Sequence, residues 1–132
     1  MLNLDGDALA SRTPLASASF DCSRGHGRAG AVHLFRGEEG DWAVMAESFV
    51  CRQTGRLGEG AAMLLRAALE RGLPEAVYQV NLEYAPFYCP RCAAVYCGAC
   101  WHTYNVFDDE MPGWFEETRG TCPEGHERML VD

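Results

Sequence analysis

At 132 residues, 48% of them hydrophobic, the chain suits one domain with a modest core and is excluded from the disordered class. Its 19 acids outweigh 11 basic residues, and the net charge of −8 argues against a nucleic-acid reader, which is normally basic. Every basic residue is Arg, so Schiff-base lysine and P-loop lysine chemistry are excluded; with no Ile either, the bias is that of a GC-rich bacterial genome.

Residues 1–18 are rich in Ala, Ser, Asp and Gly and read as a loosely ordered leader, held if at all by docking on the domain. Asp5 and Asp7 stand where a signal peptide would carry positive charge, and no apolar run approaches the length of a membrane span. The expectation is a cytoplasmic protein with neither a membrane nor a nucleic-acid partner. Residues 19–132 form a single domain. Over 30–50 the pattern is a β-hairpin: an apolar run at Ala31, Val32, Leu34 and Phe35, a Gly37-Glu38-Glu39-Gly40-Asp41 turn, and a return strand from Trp42. His33 in the first strand is a packing residue.

Residues 58–71 form the one main helix. Ala61, Leu64, Leu65, Ala68 and Leu69 recur at helical spacing, and Gly72 and Pro74 stop it. Residues 75–84 fit a short helix or a strand. From 87 to 132 periodicity fades while Cys, aromatic and Gly residues crowd in, the signature of a segment held by metal more than by a core.

Cys89-Pro-Arg-Cys92 is followed after four residues by Cys97-Gly-Ala-Cys100. Two cysteines separated by two residues turn back onto one ion, and Zn²⁺ takes four such ligands in a tetrahedron. Pro90 and Gly98 suit the tight bends. A repeat supplies the rest: Cys22-Ser-Arg-Gly-His26-Gly-Arg28 matches Cys122-Pro-Glu-Gly-His126-Glu-Arg128, both Cys-x-x-Gly-His-x-Arg. Six Cys and two His thus close two Cys₃His sites, each a repeat turn completed by one Cys-x-x-Cys pair. Sequential pairing, Cys22 and His26 with Cys89 and Cys92, asks for shorter loop closures and is preferred. A crossed pairing, as in a cross-brace, leaves the ligand list unchanged. His102 is a surface histidine or a replacement ligand, and Cys51 is a buried free thiol. Trp101 and Trp114 pack over the metal sites.

Two filled tetrahedra leave no position for a reacting water, which argues against catalysis at the metal. Disulfides would be out of compartment, and Pro90 with β-prone residues after Cys92 argues against a redox pair. The acid pairs Asp108-Asp109 and Glu116-Glu117 read as solvated loop charges.

Residues 89–102, Cys89-Pro-Arg-Cys92 to Cys97-Gly-Ala-Cys100-Trp-His102, resemble the middle of in-between-RING and related RING-like treble-clef zinc domains. The resemblance implies a treble-clef or zinc-ribbon-like C-terminal third on an α+β domain. It also implies that Cys89 and Cys92 complete the first zinc while Cys97 and Cys100 open the second. Function then reads as a structural two-zinc adaptor, binding a protein partner through the acidic–aromatic loop 107–117. The alternatives are a RING-like module of a ubiquitin- or modifier-type ligation system, and a zinc-dependent enzyme or metal sensor.

Overall fold

In the computed structural model, which describes residues 1–107, 109–111 and 113–132, α and β elements mix and every sheet is antiparallel. Asp108, one of the paired loop acids, lies outside the described residues, as does Pro112. No described helix is long and apolar enough to cross a membrane.

Four strands form the main sheet in chain order: β1 Ala16–Asp21, β2 Arg28–Arg36, β3 Trp42–Ser48 and β4 Arg52–Leu57. Alternation sends Phe20, Val32, Leu34, Trp42, Val44 and Ala46 to one face, where they meet α2 Glu59–Arg71 and α3 Pro74–Val80. The buried side of α2 is Ala62, Leu65, Ala68 and Leu69. Leu64, expected on that side, is 66% exposed, so the helix is turned from the predicted face toward Ala62. Gly72 ends α2 in the left-handed region at φ 63°. Pro74 then opens α3 as well as closing α2, because its missing N–H costs nothing in a first helical turn.

The opposite face of the sheet is covered too. The expected loose leader contains α1 Gly6–Ala10, buries Leu2 and Leu9 against Phe35, Ala43 and Met45, and runs into β1. Thr54 Oγ1 donates to the Leu4 carbonyl at 2.7 Å, and Arg56 Nη2 donates to that of Leu2 at 2.8 Å. With both faces covered, consecutive residues are buried over 29–32 in β2 and 42–46 in β3.

After a 3-10 turn at Leu82–Tyr84 the chain makes a two-stranded ladder, β5 Tyr88–Cys89 with β6 Ala94–Val95. A three-stranded sheet comes next in the order β7 His102–Phe107, β8 Phe115–Thr121, β9 Glu127–Val131. The C-terminal third is therefore two turns of Cys-x-x-Cys and a sheet, with no helix after Tyr84 among the described residues.

Candidate metal centres

Each Cys-x-x-Gly-His segment is the turn of an antiparallel hairpin, one between β1 and β2, the other between β8 and β9. In both, the Gly amide donates to the Cys carbonyl, at 3.0 Å in the first and 2.9 Å in the second. Gly25 and Gly125 sit at φ 78° and 91°, so a side chain there would be strained. Each Cys-x-x-Cys pair is a tight reversal, the first between β5 and β6, the second between β6 and β7. Gly98 serves the second for space, not for φ: a Cβ would lie 2.6 Å from the Phe49 side chain.

The eight predicted ligands gather into two groups. Cys22, His26, Cys97 and Cys100 form one, and Cys89, Cys92, Cys122 and His126 the other; within each, the ligand atoms all lie within 4.8 Å of one another. In the first group Cys22 and Cys100 Sγ are 3.7 Å apart, Cys97 and Cys100 Sγ 4.0 Å, and His26 Nδ1 is 3.2 Å from Cys100 Sγ. In the second, Cys92 and Cys122 Sγ are 3.8 Å apart, and His126 Nδ1 is 3.2, 3.5 and 3.6 Å from Cys92, Cys122 and Cys89. A tetrahedron with metal–sulfur bonds of ~2.3 Å and metal–nitrogen bonds of ~2.0 Å has edges of about 3.8 Å and about 3.5 Å. A disulfide needs sulfurs ~2.05 Å apart. The spacing is thus that of two four-coordinate metal sites, each filled by protein.

The preferred sequential pairing is overturned, and with it the order implied by the in-between-RING resemblance: the pairs are crossed. The sequential scheme would shorten each closing loop by only eight residues. By the logarithmic law that is worth about 0.4 kcal/mol in all, too little to decide. Local contacts decide instead. The Ser23 amide donates to the Val95 carbonyl at 2.8 Å and Ser23 Oγ accepts from the Val95 amide at 3.2 Å, setting the first turn beside Cys97. Arg128 sets the second beside Cys89. Its guanidinium donates to the carbonyls of Leu82 (3.0 Å), Ala85 (2.9 Å) and Tyr88 (2.7 Å) and lies 5.1 Å over the Tyr78 ring. Arg28, at the matching place in the repeat, is exposed on a cleft with Glu47, Phe49 and Gly98. The repeat is equivalent in its ligands and not in its Arg.

Charge in the clusters is poised for a cation. Burial raises the Cys22 thiol, but backbone amides at Cys97, Arg24 and His26 outweigh it and bring Cys22 down to about 6. Burial and neighbouring thiols push Cys89 and Cys100 up to about 11. One thiolate is favoured and its neighbours resist a second negative charge, a conflict that a divalent ion removes. The Tyr96 hydroxyl donates to Cys92 and is raised to about 12 by that bond first, and then by burial. Tyr96 precedes Cys97 in the chain, so the residue bonded to the second site is covalently joined to a residue of the first. Arg24, which lies 5.8 Å over the Tyr96 ring, also pairs with Glu124, joining the two turns. These linking residues escaped sequence reasoning, although Tyr96 stands next to a ligand and Arg24 and Glu124 fill matching places in the repeat.

The family described as "Domain of unknown function (DUF8328)" matches residues 12–132. The chain belongs to the DUF8328 family. No curated protein and no solved structure matches it. The DUF8328 match takes in all eight ligands and leaves out α1.

Other singled-out residues lie elsewhere. His102 opens β7, exposed and outside both clusters. Cys51 is exposed in the β3–β4 turn, against the expected burial. His33 is half-buried, with Nε2 3.0 Å from Glu47 Oε1. Trp101 is buried, donating to the Tyr96 carbonyl at 3.0 Å. Trp114 covers no metal site; it is 64% exposed at the β7–β8 tip.

Proposed function

We propose that this chain is a cytoplasmic protein-recognition adaptor stapled by two structural Zn²⁺ ions, and that its partner is a basic protein. Zinc is favoured by the donor set: three sulfurs and one imidazole nitrogen at tetrahedral spacing, with no place for water. Binding such an ion contributes about 10 kcal/mol or more of folding free energy, which suits a domain with a thin core. Filled coordination also weighs against the enzyme alternative.

One observation carries the recognition role. The β7–β8 tip exposes Phe107, Trp114 and Phe115, and Met111 lies among them. Asp109, Glu110 and Glu116 are interleaved with these residues in the sequence, and no Arg occurs between Arg91 and Arg119. Aromatic anchors are the usual centre of a protein interface, and the acids select a cationic rim. The test is direct. Elemental analysis should find two zinc ions per chain. Trp114 fluorescence should respond to a peptide alternating Arg and Val, more weakly as salt rises, and Trp114→Ala should lose at least tenfold in affinity. One zinc per chain, or no response to the peptide, refutes the reading.

The crossed ligand order departs from the in-between-RING order but is that of a cross-brace, and this favours a RING-like modifier-ligation module as the second reading. Absence of any association with modifier-conjugating proteins would remove it.

A further inference from the structure

The three-stranded sheet has one guarded edge and one open edge. β9 lies against the 3-10 turn, and the Arg128 clasp ties it there. β7 pairs with β8 on one side only, so its other row of backbone groups faces away from the sheet. Edge strands in natural proteins are blunted by inward charges, Pro, bulges or shortness. β7 is six residues long, His-Thr-Tyr-Asn-Val-Phe, with no Asp, Glu, Arg or Pro, and its irregularity comes only at the last step, Val106/Phe107. Residues 102–105 are all exposed.

Beside this edge is a cleft of about 170 Å³ lined by Phe49, Val50, Thr103, Asn105 and Thr118. Thr103, Asn105 and Thr118 share one face of the β7–β8 pair, and Phe49 and Val50 close it from the end of β3. A strand laid along β7 would turn alternate side chains to that face, and the cleft holds one of aliphatic size.

We infer that β7 is a strand-addition site for an extended, basic segment of a partner protein, with an aliphatic side chain in the Phe49–Thr118 cleft and Arg or Lys toward the acidic tip. This rests on the adaptor reading and adds the mode of binding. A second copy of the chain is the competing occupant, and charge disfavours it: each copy carries −8, whereas a basic strand is attracted. Main-chain bonds along β7 would supply affinity, and the cleft and acids specificity.

The experiment uses the full metal-loaded chain with the Arg–Val alternating peptide and a Glu–Val control. Two further Arg–Val peptides are N-methylated along one backbone edge or along the other. Strand addition predicts at least tenfold slower amide exchange at alternate residues of β7. It also predicts at least tenfold weaker binding for one methylated peptide than for the other. If the peptide quenches Trp114 but β7 amides stay unprotected, or both methylated forms bind equally, strand addition is overturned while the adaptor reading stands. Absence of binding by any peptide overturns both. Equal binding of the Glu–Val control, or β7 protection that grows with protein concentration alone, overturns the basic occupant.

Discussion

Replacing Arg128 with Ala should cost about 2 kcal/mol, whereas the same change at Arg28 should stay within about 0.5 kcal/mol. The repeat makes the pair an internal control, since both residues follow a ligand His by two. Arg128→Ala takes a donor from three carbonyls, but those of Ala85 and Leu82 keep the backbone amides of Tyr88 and Ala85. The Tyr88 carbonyl is bonded in a buried position, and an unpaired buried carbonyl costs ~2 kcal/mol. The Leu82 bond is partly exposed, so water can replace the guanidinium there. Loss of the contact over Tyr78 adds to the cost, and relief of burying a cation offsets it. Arg28 is exposed and has no such contacts among the described residues. The assay is denaturant unfolding of the metal-loaded variants at one buffered free-zinc concentration, because folding and metal binding are linked. A difference between the variants below about 1 kcal/mol would show that the clasp does not hold β9 to the 3-10 turn.

Cys22→Ser and Cys122→Ser should each lose one zinc and unfold the chain, read by metal content and circular dichroism; a folded variant with full zinc would contradict the two-site assignment. Gly25→Ala and Gly125→Ala should each cost about 1–2 kcal/mol by the same unfolding assay, since both glycines hold positive φ with open space around them. Metal affinity should fall with acid. With Cys89 and Cys100 raised to about 11, each site must expel at least one proton on loading near neutrality. Affinity then drops at least about tenfold per pH unit between pH 9 and 7. Below about 6 Cys22 joins them, and its site should weaken more steeply. Chelator competition across pH reads both slopes, and a flat profile would refute the proton count.

The ligands were legible because their residue types and spacings admit few other uses, and because Gly25 and Gly125 sit where left-handed backbone is needed. The pairing was not, since loop entropy barely separates the schemes and the deciding contacts, Ser23 to Val95 and Arg128 to three carbonyls, are tertiary. The β2–β3 hairpin and α2 were readable from long apolar patterns. β1, Ala-Ser-Ala-Ser-Phe-Asp, and β4, Arg-Gln-Thr-Gly-Arg-Leu, were not, because apart from Phe20 and Leu57 near their ends their inward positions are small or polar. The rotation of α2 that buries Ala62 and exposes Leu64 is not set by helical spacing alone, since both positions lie near the apolar side of the wheel. Leu2 and Leu9 looked like isolated residues in a polar leader until the outer sheet face gave them a place.

The interleaved order of the ligands has a consequence during synthesis. As the chain emerges from the ribosome, Cys22, His26, Cys89 and Cys92 are all available before Cys97 and Cys100 appear. Those first four already make a complete Cys₃His set, the wrong one. An ion captured early would close a stable mismatched loop that must be reopened once the second Cys-x-x-Cys pair arrives. The bonds from Ser23 to Val95 form only after residue 95 is out, and they draw the first turn away from Cys89 just as its proper ligands emerge. The contacts that fix the final geometry therefore become available only after the mismatched set of four is complete.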